Sequence, residues 1–308
     1  MKCRRCTGKA AVQLRSHNAA FCRDCFLFVF RRNVERTIER DRMFTRDEAV
    51  LVAVSGGKDS LALWDVLLDL GYRTEGLYLG LGIAAYSTES ERKVQHFAAH
   101  RGVPLRVVRL EEEADGLAIP GVAALTRRQP CAACGTFKRH YFDRAALDGN
   151  FPVLATGHNL DDEAARLLGN VLHWQMRYLA KQRPVLLPSH PSFARKVRPL
   201  YRTSEFETAA YVFLRGIDYV TEECPNSHGA TQLVYKDLLN RLEERMPGSK
   251  LAFVTEFLGR VQARFADALD AGLGECTRCG MPALGELCGY CRLVSEVGRR
   301  RGQGVPHS

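Results

Sequence analysis

From Val50 to about residue 220, short apolar runs alternate with longer stretches whose apolar residues recur at helical spacing. The runs Leu51 to Val54, Thr74 to Leu79, Leu105 to Leu110 and Val153 to Ala155 are each bounded by Gly, Pro or charged residues, the mark of β-strands. Between them the spacing predicts helices over about 61–70, 88–101, 132–147 and 160–173. Strands and helices in this alternation imply an α/β fold with a doubly wound parallel sheet. Ligands of such a sheet sit beyond the carboxyl ends of the strands, at the switch point. If the first and fourth strands are neighbours there, the loop after Ala155 faces the loop after Val54. Upstream, Phe26 to Arg42 reads as a helix with Arg32, Arg36 and Arg40 on one face. That face reads equally as a phosphate-tracking surface or as a solvated one, partly neutralised by Glu35 and Glu39.

With 308 residues and 46% apolar content, the chain can bury one α/β core and still supply small appended modules. No apolar stretch approaches the ~20 residues that cross a bilayer, and Met1-Lys-Cys-Arg-Arg-Cys6 is not a signal core, so a soluble, cytoplasmic protein is expected. A net charge of +9 and a pI of about 9.1 favour polyanionic partners, nucleic acid first. Eleven cysteines in a cytosolic chain stay thiols, which turns attention to metal binding or sulfur chemistry. Four lie near the N-terminus, three in the body and four near the C-terminus.

The first apolar run ends in a glycine pair, Ala53-Val54-Ser55-Gly56-Gly57-Lys58-Asp59-Ser60, and a helical stretch follows at once. A strand-loop-helix unit of this kind aims backbone N–H groups and a positive helix end at one point, which cradles a phosphate. Gly56 and Gly57 let the backbone come close, and Lys58 adds a point charge. The four-residue spacer of the Walker loop is missing, and an ordinary Gly-Gly turn is the plain alternative. The fourth strand leads into Ala155-Thr-Gly-His-Asn-Leu-Asp-Asp-Glu163. There Gly157 permits close backbone approach, and Asp161 and Asp162 could hold Mg²⁺ on nucleotide phosphates. The helix dipole alone accounts for Asp162 and Glu163, so Asp161 is the carboxylate assigned to function. His158 reads as a packed loop histidine rather than a proton carrier.

Cys3-x-x-Cys6 with Cys22-x-x-Cys25, and Cys276-x-x-Cys279 with Cys288-x-x-Cys291, have the arithmetic of zinc ribbons. Each knuckle supplies two thiolates, and two knuckles close a tetrahedral structural Zn²⁺ site. The remaining three, Cys131-Ala-Ala-Cys134 and Cys224 before Pro225, cannot close a zinc site unaided. Three thiolates suit a [4Fe–4S] cluster with one iron open to an exogenous ligand; a persulfide relay and three packed thiols are the other readings. Lys138 lies one helical turn beyond Cys134 and shares its side of the helix; if the cysteines face the ATP loop it could neutralise charge developing on an α-phosphate or on an attacked carbonyl oxygen, and a solvent lysine is the plain alternative.

Taken in order, Ser55-Gly-Gly-Lys-Asp-Ser60, Cys131-x-x-Cys134, Ala155 to Glu163 and Glu222-Glu-Cys-Pro225 resemble the tRNA 2-thiolation enzymes of the TtuA/TtcA group, which carry the PP-loop of the N-type ATP pyrophosphatases. The ribbons at both ends resemble the TtuA branch, which makes 2-thiothymidine from ribothymidine at position 54 of tRNA. The resemblance implies a Rossmann-like PP-loop fold and a sulfurtransferase that adenylates the C2 oxygen of a uridine with ATP and then replaces it with sulfur. It further implies that Ala53 to Ser60 hold the phosphates, that Leu79 and Gly157 lie near the adenosine, that Asp161 and Lys138 assist adenylation, and that Cys131, Cys134 and Cys224 carry the cluster. A ubiquitin-like sulfur carrier ending in a thiocarboxylate, and a homodimer, come with the family. The expected layout is an N-terminal ribbon at 1–30, a basic linker helix at 31–49, the catalytic domain at 50–225, a helical extension at 226–270, a second ribbon at 271–295 and a basic tail at 296–308. The rivals are thiolation of cytidine 32 or wobble uridine 34, amide or lysine ligation on the same ATP fold, and a non-catalytic RNA-binding zinc protein.

Overall fold

A computed structural model of the chain describes residues 1–113, 116–227, 229–268 and 272–302; the end of the expected basic tail lies outside them. Two short antiparallel strands, β1 (Val12–Leu14) and β2 (Ala19–Phe21), precede the helix α1 (Arg23–Arg40). The alternating region follows as β3 (Val50–Val54), α2 (Lys58–Asp69), β4 (Thr74–Gly80), α3 (Ala84–Arg101), β5 (Leu105–Arg109), α4 (Leu110–Glu113), α5 (Ile119–Thr126), α6 (Pro130–Asp148), β6 (Val153–Thr156) and α7 (Leu160–Leu172). Next come α8 (Met176–Ala180), β7 (Val185–Leu186), β8 (Arg195–Val197), α9 (Glu205–Arg215), α10 (Thr231–Arg245) and α11 (Ser249–Glu256). The strands β9 (Gly274–Glu275) and β10 (Pro282–Ala283) and the helix α12 (Gly289–Gly302) end the described chain.

The main sheet has the order β5-β4-β3-β6-β8-β7, parallel except for the edge strand β7. The chain winds outward from β3 through β4 to β5, then returns to place β6 on the other side of β3. The first and fourth strands are therefore neighbours, as expected, and the crevice between their carboxyl ends is the switch point. All five residues of β3 are buried, as a central parallel strand covered on both faces requires. β8, unlike the four strands read from the sequence, carries no apolar run: Arg195 and Lys196 interrupt it, and they are tolerated because Glu48 and Asp143 pair with them.

Helix α2 packs on the sheet through Trp64, which is fully buried and donates its indole N–H to Thr74 Oγ1 at 3.1 Å. It leaves room for nothing larger than glycine at position 76, where a Cβ would lie 2.4 Å from Trp64 Cη2. The N-terminal module shares this core. Cys3, Val12, Leu14, Phe21, Phe26, Phe30, Val34 and Ile38 are continuous with the core of the main sheet, and Phe30 stacks on Tyr211 of α9 with centroids 4.2 Å apart. Helix α1 thus buries a stripe, Phe26, Phe30, Val34 and Ile38, in this core. On its polar side Arg32 binds Glu35 at 3.0 Å, and Arg40 binds Asp41 at 2.9 Å and Tyr201. That pairing favours a solvated, partly neutralised face over a phosphate track. Among the described residues no helix is long and apolar enough to cross a membrane.

Candidate active site

At the switch point the turn after β3 is held in shape by serines. Ser55 N–H donates to Ser60 Oγ at 3.1 Å, and Ser60 Oγ donates to the Gly57 carbonyl at 3.0 Å. Gly56 has φ +79°, and a Cβ there would meet the Ser90 carbonyl at 2.7 Å, so only glycine fits. The loop after β6 comes equally close. A Cβ on Gly157 would lie 2.8 Å from Ser60 N and 2.9 Å from Asp59 C, so the loops after β3 and β6 touch backbone to backbone. Asn159 ties them further. It caps α7 in a capping box with Asp162 and donates from Nδ2 to Asp59 at 3.1 Å.

These loops wall a cavity of about 360 Å³. Of the residues anticipated for nucleotide binding, Ala53, Val54, Ser55, Gly57, Asp59, Ser60, Leu79 and Gly157 line it. Lys138, Cys134 and Cys224 line the same space. Sequence reasoning missed the wall from β4 and α3: Tyr78, Leu81, Tyr86, Ser87 and Ser90 face the cavity, as do Phe142, Thr156, His158 and Asp162. Tyr86 to Ser90 carried no motif, though the break at Gly80 to Gly82 after a strand could have flagged the turn toward the ligand side.

Four anticipated residues sit differently. Gly56 shapes the loop from behind, its carbonyl accepting from Val220 N at 2.9 Å. Lys58 turns away from the cavity to Glu205 at 2.6 Å and Asp59 at 3.3 Å, and these carboxylates hold its ammonium charged against the opposing effect of burial. Cys131 is exposed at the start of α6, its thiol donating to the Asn226 carbonyl at 3.4 Å. Asp161 lies off this cavity. It is buried, accepts from Glu205 N at 2.8 Å and pairs with the buried Lys250 of α11, lining a separate cavity beneath the N-terminal module. One helical residue is 100° of rotation, so Asp162 and not Asp161 lines the cavity between the two loops. Asp162 meets Lys236 of α10 at 2.6 Å, and Lys236 also reaches Glu205 at 3.2 Å. Glu205 therefore lies between Lys58 and Lys236; burial raises its pKa, yet the two ammonium groups hold it below the usual carboxylate range. Burial raises the Asp59 carboxyl, with Lys58, Thr208 and Asn159 opposing. Burial first, then the charges of Arg166, Arg198, Lys138 and Lys236, keep His158 neutral, its Nδ1 hydrogen-bonded to Thr156 Oγ1 at 2.8 Å. It is the packed histidine that was expected.

A PP-loop domain model matches residues 28–231, and the model for the N-terminal LIM domain of the 2-thiouridine synthetase TtuA matches residues 2–27. The chain belongs to the PP-loop tRNA 2-thiolation enzymes. This sulfurtransferase is 49% identical over 300 residues to the tRNA-5-methyluridine(54) 2-sulfurtransferase of Thermus thermophilus, covering 97% of this chain and 93% of that one. It is 43% identical over 293 residues to the enzyme of the same name from Pyrococcus horikoshii, covering 95% and 93%. In fold it matches the U34-tRNA thiolase NcsA from Methanococcus maripaludis, solved with its [4Fe-4S] cluster, at a TM-score of 0.81 and 24% identity over 100% of this chain and 98% of that one.

In the sulfurtransferase two sets of four thiols could each hold a metal ion: Cys3, Cys6, Cys22 and Cys25, and Cys276, Cys279, Cys288 and Cys291, every sulfur within 4.8 Å of the others in its set. Backbone N–H groups already point at them, Gly8 N to Cys6 Sγ at 3.5 Å and Cys291 N to Cys288 Sγ at 3.4 Å. Although burial raises Cys3 and Cys276, the amides around each outweigh it and bring the thiols down to about 6. Burial and neighbouring thiols push Cys25 up to about 12. Four thiols whose successive ionisation becomes this unfavourable fit a dication at their centre. The middle three converge more loosely, from α6 and from the Cys224 loop, which is stitched to the PP-loop through Val220. Burial raises Cys134; Lys138 opposes, while Cys224 and Cys131 add to the rise. Among the described residues this trio is not one of the sets whose sulfurs all lie within 4.8 Å of one another.

Proposed function

We propose that this enzyme makes 2-thiouridine-type nucleosides in tRNA at 5-methyluridine 54, using ATP to activate the C2 oxygen and sulfur delivered at Cys131, Cys134 and Cys224. The observation that carries the reading is the shared cavity, where the PP-loop, Lys138, Cys134 and Cys224 all open on one space.

The amides of Ser55 to Ser60 and the N-terminus of α2 hold the phosphates, with the adenosine against Leu79 and Gly157. Asp162, with Asp59, takes the Mg²⁺ role first given to Asp161. The C2 oxygen attacks the α-phosphorus and pyrophosphate leaves. Lys138 neutralises charge on the phosphoryl oxygens as they crowd, and later on the C2 adduct. A sulfur nucleophile adds at C2, and the C–O bond breaks to release AMP. A [4Fe–4S] cluster held by the three cysteines supplies, when bound, an open iron that can present sulfide. Cys3, Cys6, Cys22 and Cys25, and Cys276, Cys279, Cys288 and Cys291, would each hold a Zn²⁺ that would tie the two knuckles of its terminal module together. The family resemblance supports a thiocarboxylated ubiquitin-like carrier as sulfur source, a homodimer as the working form and the cytoplasm as its place of work.

Nucleoside mass spectrometry on tRNA from a deletion strain tests the substrate. Loss of 2-thio-5-methyluridine, restored by the wild-type gene and not by Cys224→Ala, is expected; loss of 2-thiocytidine or a wobble 2-thiouridine instead reassigns it. An anaerobic absorption spectrum with an iron count tests the cofactor. A visible band lost in Cys224→Ala supports the cluster, and a colourless active protein overturns it in favour of a persulfide relay.

A further inference from the structure

Helix α6 has two working faces. Cys134, Lys138 and Phe142 face the nucleotide cavity, whereas Thr136, Arg139, His140 and Asp143, on the opposite side of the helix, face a second groove of about 950 Å³. The far wall of that groove is β10 and α12, the elements that follow and include the C-terminal cysteines. The wall is firmly attached. Leu293 and Val297 of α12 are buried with Ala133 and Phe137 of α6, the His140 ring stacks on Tyr290 with centroids 3.9 Å apart, and Arg300 donates to the Leu125 carbonyl.

Five cations line this groove: Arg128, Arg139, Lys196, Arg292 and Arg299. Its two carboxylates are already ion-paired, Asp143 with Lys196 at 2.7 Å and Glu296 with Arg128 at 3.1 Å and Arg300 at 2.8 Å. Among the described residues no ion pair joins Arg139, Arg292 or Arg299 to a carboxylate, and all three are exposed. Three unneutralised guanidinium groups on two facing elements form a spread of forked donors, suited to successive phosphates rather than to one small anion.

We propose that this groove is where the tRNA sugar–phosphate backbone docks, so that the target base reaches the nucleotide cavity past the exposed N-terminal end of α6. The proposal rests on the tRNA reading above and adds the surface that holds the RNA. Phosphate contacts fix register without reading sequence, and the base-specific step is left to the cavity. The C-terminal module then has a purpose beyond its own fold: it supplies one wall of the RNA site.

The test is binding of an unmodified tRNA transcript to the metal-loaded enzyme without ATP, followed by fluorescence anisotropy across a salt series. Arg139→Glu/Arg299→Glu should weaken binding at least about tenfold near 0.1 M salt and flatten the log–log salt dependence by about 2. Zinc content and ATP affinity should stay unchanged, and Arg139→Lys/Arg299→Lys should recover most of the affinity. The same charge change placed elsewhere, Arg36→Glu/Arg245→Glu, should cost less than about threefold. Wild-type affinity in the groove variant, or equal loss in both charge-reversed variants, overturns the groove while leaving the enzyme's tRNA activity standing. If the groove variant keeps tRNA affinity and loses only an acidic protein partner, the RNA assignment is overturned in favour of that protein. Failure of the wild-type enzyme to bind any tRNA removes the functional reading itself, and the groove proposal with it.

Discussion

The carboxylates of Asp161 and Asp162 are neighbours in the chain at the start of α7, and the helix turns them into different surroundings. Asp161→Asn leaves the ammonium of Lys250 buried beside a neutral amide, so it should cost about 3–5 kcal/mol of stability, read as a lower denaturant midpoint. Asp162→Asn removes a group at the cavity edge, and its effect should fall on Mg²⁺-dependent ATP turnover with little change in that midpoint. The reverse pattern would return Asp161 to the catalytic role. Lys138→Ala should lower the AMP-forming rate about 10²- to 10³-fold while ATP affinity changes far less, because its charge is needed where charge develops. A motif locates residues of this kind to within one position; which of two adjacent aspartates faces ligand depends on the phase of the helix, set here by the Asn159 cap.

Among elements, the packing of α2 on β4 depends on the fit of Trp64 over Gly76. Gly76→Ala should destabilise by about 1–3 kcal/mol, lowering the denaturant midpoint without altering the slope, since the indole is enclosed and has nowhere to move. The seam between the N-terminal module and α9 carries a pH-sensitive contact, His17 to Glu207 at 3.6 Å. The hydrogen bond and charge of Glu207 raise the His17 pKa against the opposing effect of burial. A raised folded-state value means the contact stabilises fully below the unfolded pKa of about 6.5 and fades as pH rises through the folded one. The melting temperature of wild type should therefore exceed that of His17→Gln most near pH 6, and the two should converge toward pH 8. With the imidazole 36% exposed the gain is at most about 0.5 kcal/mol. The strands β3, β4 and β6 were legible because parallel strands buried on both faces read as apolar runs, and the half-buried edge strand β5 because its apolar residues lie between Pro104 and the charged turn that follows. β8 and α9 were not, because pairing with Glu48 and Asp143 lets charged residues sit in β8, and the role of α9 depends on partners distant in sequence.

At the scale of the whole molecule the two terminal modules are attached differently. The first shares the main core, with Cys3, Phe21 and Phe26 continuous with Trp64 and Tyr211, whereas Cys276, Cys288 and Cys291 form a small cluster of their own with Ala283. Cys3→Ser/Cys6→Ser should therefore lower the global unfolding midpoint. Cys276→Ser/Cys279→Ser should leave that midpoint nearly unchanged and weaken tRNA binding, because it loosens one wall of the groove; differential scanning calorimetry beside anisotropy separates the two outcomes. The candidate groups were readable along the chain wherever they come from one short segment: the glycine turn, the paired C-x-x-C knuckles and the Cys131 pair are local, since a tight turn or one helical face presents each set. Folding alone decided which of these segments meet. The return of β6 beside β3 brings Gly157 against Ser60, the Cys224 loop reaches the PP-loop through Val220, and α6 separates the cavity lined by Cys134 and Lys138 from the groove lined by Arg139. Those juxtapositions join residues as far apart as Gly56 and Val220, and no periodicity within a single segment encodes them.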